Sequence, residues 1–195
     1  MRCWKGQIRT VVNQYLALLT ASITTFAATN VDDAFLLTLF FARGISIRRI
    51  VAGQYLGFGA IIMVSLFGVW AALTIPHRWI RLLGLVPLAI GVRHLLRTRR
   101  ADQKSPHLSS GGVVSIAFIT LSNGADNIGV YVPFFVSGRP YLWLILSVYA
   151  VMVAMWCLVG RWLGKHTLIL RSVDRWGHWA VPLVFISLGF YVLNS

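Results

Sequence analysis

The chain has 195 residues, which suggests one domain, and 57% of them are hydrophobic while only 12% are charged. A net charge of +13 accompanies five acidic residues, all of them aspartate. This balance excludes an ordinary soluble domain. It also argues against nucleic acid as a partner, because the basic residues cluster at the ends of apolar runs, as they do in membrane chains.

Charge-free runs decide the class. No Asp, Glu, Lys or Arg occurs in 10–31, 50–77, 105–125, 140–160 or 176–195. A helix needs roughly 20 apolar residues to cross a bilayer core of about 30 Å, and the runs have that length. A soluble protein of this size has room to bury one or two such helices, not five. The sequence therefore predicts an all-α, polytopic membrane protein of six transmembrane helices in a single domain.

In chain order, the first span covers about 12–41. At 1.5 Å per residue its roughly 30 residues would reach about 45 Å, well beyond the core. A break or strong tilt is expected near Asn30–Asp33. The second span covers about 51–73 and the third about 79–96, the latter with Arg81 and Arg93 near its ends, where their side chains can snorkel. A polar linker at about 97–110, RTRRADQKSPHLSS, holds Pro106 and divides the chain almost in half; it is expected to be flexible and exposed. The fourth span covers about 112–136, where Gly124, Gly129 and Pro133 also invite a break. The fifth covers about 141–162 and the sixth about 177–194.

Trp70, Trp79 and Trp143 on one side, and Trp162, Trp176 and Trp179 on the other, match an aromatic belt. The loops after the first, third and fifth spans carry about three, four and four basic residues, and those on the other side about three, two and one. The richer side is expected to be cytoplasmic, with both termini outside. Arg2, Lys5 and Arg9 pull the other way.

The chain repeats itself. TNVDD at 29–33 answers SNGAD at 122–126, so that Thr29 pairs with Ser122, Asn30 with Asn123 and Asp33 with Asp126 at a constant spacing of 93 residues. Each motif is followed by a Phe pair and a Gly: Phe40, Phe41 and Gly44, then Phe134, Phe135 and Gly138. VPL recurs at 86–88 and 181–183. The first repeat covers about 12–96 and the second about 111–194. With three spans each, an odd number, the second must enter the membrane from the opposite side, which gives two inverted three-helix repeats.

Residues three or four apart share a helix face. Thr29, Asn30 and Asp33 then line one face of the first span, and Ser122, Asn123 and Asp126 one face of the fourth, with Asn127 beside Asn123. These are oxygen donors, suited to a cation. An ionised Asp at the bilayer centre costs about 2.5–3.5 kcal/mol on insertion scales, so either a proton or a cation must neutralise it. Asp33 and Asp126 are expected to hold a metal ion and exchange it for protons. Asp32 points about 100° away from Asp33 on an ideal helix and its counterpart is Ala125. It reaches the site only if the helix unwinds, as a third ligand or a proton carrier.

Other features are weaker. Gly53-x-x-x-Gly57 and Gly160-x-x-x-Gly164 read as helix-packing notches. Cys3 and Cys157 form no metal-ligand spacing, and Cys157 reads as a small packing residue. His77, His94, His107, His166 and His178 lie at boundaries or in loops. No phosphate loop is present, and the chain does not read as an enzyme.

TNVDDAFLLTLFF in the first span, NGADNIGVYVPFF in the fourth and VPLVFISLGFYVL at the end resemble the cadmium-resistance transporter (CadD-type) family of the lysine-exporter (LysE) superfamily. That resemblance implies a multi-pass exporter of the bacterial inner membrane that lowers cytoplasmic cadmium, driven by the proton gradient. Carried over by position, its polar set falls on Asn30, Asp32, Asp33, Asn123, Asp126 and Asn127, with Thr29 and Ser122 in support. The transported divalent cation is substrate, not cofactor. The expected partners are the metal ion and the lipid bilayer, with homo-oligomers left open. The oxygen donors by themselves suit Mn²⁺, Mg²⁺ or Ca²⁺ better than soft Cd²⁺. An exporter of a cationic amino acid or other small organic cation is the alternative, and a non-transporting membrane subunit a third.

Overall fold

The structure, a computed structural model, describes residues 2–74, 85–96, 111–165 and, near the C-terminus, 186, 187, 189, 190 and 193; for 2–10, 91 and 93–96 it describes the backbone alone. These residues form α1 (Arg2–Thr29), α2 (Val31–Ala42), α3 (Ile47–Ala72), α4 (Leu85–Leu96), α5 (Val113–Asn123), α6 (Ile128–Ser137) and α7 (Leu142–Leu163). A single 3₁₀ turn, Arg139–Tyr141, leads into α7. No strand occurs among the described residues.

Among the described residues, three helices are long and apolar enough to cross a membrane: Val11–Thr29, Ile47–Ala72 and Arg139–Leu163, the last including the 3₁₀ turn. The pair α5–α6 makes a fourth candidate, bent by 74° at its break. The third expected span is described only from 85 onward, as α4. The linker 97–110 and most of the sixth span, 177–194, lie outside the described residues, as do Trp79, Trp176, Trp179 and the side chains of all five histidines.

Both expected breaks are present. The first span is interrupted at Asn30, whose φ of −116° and ψ of 22° leave the helical region between α1 and α2. The fourth is interrupted across 124–127. In α6, Pro133 offers no N–H to the turn before it. Between α2 and α3 the chain reverses at Gly44, whose φ of 74° is a left-handed conformation that a side chain would strain.

Small residues let the helices approach. A Cβ on Gly57 would lie 2.5 Å from the Ala117 carbonyl oxygen of α5, and one on Gly160 would lie 2.6 Å from Leu37 Cβ of α2. Both sequence notches are thus helix contacts, as small-x-x-x-small patterns are in membranes. The packing has a pairwise regularity: α3 lies against α5 and α6, while α7 lies against α1 and α2. Exchanging the halves of the chain maps one set of contacts onto the other.

Between these helices sits an aromatic core of Phe26, Phe58, Tyr131, Phe134, Phe135 and Tyr149. Tyr131 and Tyr149 are 5.1 Å apart by ring centroids, and Phe26 meets Trp156 edge-on at 5.5 Å. Edge and offset contacts of this kind add to area burial. A smaller cluster joins Leu37, Phe40, Ile50, Ile116 and Cys157, which places Cys157 in a packing role. Large apolar residues face outward along the spans: Met63, Phe67, Val114 and Phe118 are each about two-thirds exposed or more. In water so broad an apolar surface would aggregate; hydrocarbon accepts it, and the chain is a membrane protein. Trp70, Trp143 and Trp162 are exposed near helix ends, in the positions of interfacial anchors.

Candidate cation site between the halves

The break at Asn30 explains why two acids follow it. Asp32 and Asp33 fall in the first turn of α2. A helix N-terminus carries partial positive charge and unpaired N–H groups, so interrupting the span gives these carboxylates a favourable field that a continuous helix would deny them. Asp126 stands just ahead of α6 in the same way.

Asp33 is 1% exposed. Gln54 of α3 donates to its Oδ2 at 3.0 Å, and Asn123 of α5 donates to its Oδ1 at 2.8 Å. Gln54 is itself held by Thr120, which donates to Gln54 Oε1 at 2.8 Å. Both donors to Asp33 are neutral amides, one from each half of the chain. Asp126 lies within electrostatic range of Asp33 and of Asp32. Asp32 and Asp126 are exposed, and Asp32 Oδ1 accepts the Asp33 N–H at 3.1 Å. The three acids thus stand at the two breaks, Asp33 buried and the other two exposed.

A second polar cluster lies beside them. Asn30 Nδ2 donates to the Phe26 carbonyl and the Tyr131 hydroxyl, both at 2.8 Å. The Thr29 and Tyr131 hydroxyls are also 2.8 Å apart. Trp156 donates its indole N–H at 2.6 Å to the Asn30 carbonyl, which supplies the broken helix with a partner. Asn127 Nδ2 approaches Asn30 Oδ1 at 3.5 Å, the long limit of a hydrogen bond. Spans 1 and 4 therefore meet through Asn123 with Asp33, Asn127 with Asn30, and Tyr131 with Thr29 and Asn30. Ser122 is exposed while half-buried Asn123 turns to Asp33: neighbours on one helix point about 100° apart, so the two do not share the face the sequence pattern suggests.

Four residues were not singled out by sequence: Gln54, Thr120, Tyr131 and Trp156. A signal existed for Gln54, an amide inside the charge-free run 50–77. For Tyr131 and Trp156 none existed, since aromatic residues are ordinary in such runs. Removing the Tyr131 hydroxyl takes from Thr29 and Asn30 the partner they share in the other half of the chain, leaving them the Phe26 carbonyl and each other. Tyr131→Phe is expected to destabilise the folded protein by about 0.5–1.5 kcal/mol, read as a lower thermal midpoint in detergent. An unchanged midpoint would show that this hydroxyl does not tie the break together.

Among the described residues, no three His, Cys, Asp or Glu side chains stand close enough to hold a metal by themselves. The donors on hand are mixed: the Asp33 carboxylate, two exposed carboxylates and the amide oxygens of Asn123 and Asn127. A polar, acid-rich site at breaks in two spans from opposite halves is the arrangement of a secondary transporter. Residues 26–195 match the family of cadmium resistance transporters, and the chain belongs to that family. No curated protein and no solved structure matches it significantly.

Proposed function

We propose that this chain exports divalent heavy-metal cations, cadmium foremost, from the bacterial cytoplasm across the inner membrane in exchange for protons. One observation carries the reading: Asp33 is buried between the two halves, its oxygens held, among the described residues, by neutral amides alone, with Asp32 and Asp126 nearby. A buried carboxylate without a cationic partner favours either a proton or a metal ion in its place. Alternation between the two is the exchange an antiporter needs. Asp33, Asp126 and Asp32 supply the charge, and Asn30, Asn123 and Asn127 the amide oxygens. Thr29 and Ser122 support them. The two halves act as inverted repeats that rock about this site, and the basic loops face the cytoplasm with the termini outside.

Oxygen ligation of a soft ion is weak compared with thiolate. That suits export, because an ion bound too tightly does not leave. Purified protein in liposomes with an acidic lumen is expected to take up Cd²⁺ several times faster than in liposomes without a pH gradient. Mn²⁺, Zn²⁺ and Ca²⁺ in the same assay rank the metals. If no metal moves, or if lysine blocks uptake and is itself carried, the site serves an organic cation and the metal reading fails.

A further inference from the structure

We infer that Tyr149 is a positioning residue of the transport site: it donates a hydrogen bond to Asp126 in the conformation that faces the opposite side of the membrane. The inference rests on the reading of two repeats that alternate about a shared site. Its starting point is that α3 and α7 bury the same stripe. Ile50, Gln54, Phe58 and Ser65 are buried on α3; Ile145, Tyr149, Val153 and Gly160 are buried on α7, each 95 residues later. Tyr149 is therefore the counterpart of Gln54.

Gln54 has a clear task, since it donates to Asp33 while Asn123 donates to the other oxygen. The counterparts of Asp33 and Asn123 are Asp126 and Asn30, at the spacing of 93. In this conformation those counterparts are not assembled. Asp126 is exposed, Asn30 donates elsewhere, and the Tyr149 hydroxyl is buried with no hydrogen-bond partner among the described residues. A buried hydroxyl without a partner is costly and calls for a reason. Its ring already lies against Tyr131, whose hydroxyl meets Asn30, so it stands one ring away from the second half-site.

Exchange of the two half-site arrangements gives the orphan its task. Asp126 becomes covered, Asn30 Nδ2 takes the place of Asn123, and the Tyr149 hydroxyl takes the place of Gln54. Asp33 opens as Asp126 closes. Gln54 then stabilises one conformation and Tyr149 the other, so the two side chains oppose each other across a single equilibrium.

The test reads that opposition. In a Cys3→Ser, Cys157→Ala background, Ala125→Cys places a thiol on an exposed position beside Asp126. Its labelling by a membrane-impermeant maleimide is followed in vesicles of both orientations, without metal. Tyr149→Phe is expected to speed labelling about tenfold, because it removes a donor needed only in the other conformation. Gln54→Leu is expected to slow it. Unchanged labelling in Tyr149→Phe, or a shift in the same direction for both variants, overturns the inference. Should Gln54→Leu fail to reach the membrane, Tyr149→Phe decides alone: faster labelling supports the role, and unchanged or slower labelling ends it. No metal enters the assay, so failure of cadmium transport in liposomes would be seen separately.

Discussion

Asp33→Asn is expected to abolish cadmium tolerance in cells that depend on this protein, with the variant still present in the membrane. The carboxylate now accepts one amide N–H on each oxygen. An asparagine must turn its own NH₂ toward either Gln54 or Asn123, and donor then faces donor. It also removes the buried charge that a cation would neutralise. A hundredfold or greater loss of metal affinity, about 3 kcal/mol, is the expected size, with a smaller structural cost from the unmatched amide. Asp126→Asn separates the two effects. Asp126 is exposed, so its replacement leaves the packing alone and should still abolish export. The checks are growth on cadmium, flux in inverted vesicles, and an immunoblot of the membrane fraction. Full resistance in both variants would remove the acids from the mechanism.

The second large effect is on folding. Gly57→Val is expected to destabilise the protein by roughly 3 kcal/mol, at the upper end of overpacking costs. The first added carbon would sit 2.5 Å from the Ala117 carbonyl and 2.7 Å from Thr120 Cβ, and neither is the far end of a flexible side chain. The strain falls where α3 crosses α5, and Thr120 is the residue that holds Gln54 against Asp33. Export should therefore drop with stability. Thermal unfolding followed by size-exclusion chromatography in detergent measures this directly. A variant with the parent's midpoint would mean that the two helices do not approach as closely as described.

Much of the arrangement was legible in the sequence because membrane solvation leaves few alternatives. Charge-free runs marked the spans, and the excess length of the first one announced its break. The spacing of 93 residues marks out Asp33 and Asp126 together, and each stands beside a break. The 74° bend between α5 and α6 was not legible: Gly124 and Pro133 permit a break without setting an angle. Nor was the unequal burial of the repeated acids. A periodic reading makes Asp33 and Asp126 equals, yet one is sealed and the other open. That inequality comes from tertiary packing, since Gln54 of α3 and Asn123 of α5 close over Asp33, and no pattern in the chain encodes those contacts. Asp32, whose counterpart is Ala125, stays exposed: the break lies at Asn30, and Asp32 and Asp33 follow it as neighbours in the regular first turn of α2, about 100° apart.

Cadmium NMR of the purified protein tests the central claim most directly, because the metal's chemical shift separates oxygen ligands from thiolate. The account predicts one bound resonance in the range of oxygen ligation, lost in both Asp33→Asn and Asp126→Asn and retained in Cys157→Ala. A resonance in the thiolate range, or one that survives both aspartate replacements, would contradict a site built from the two halves.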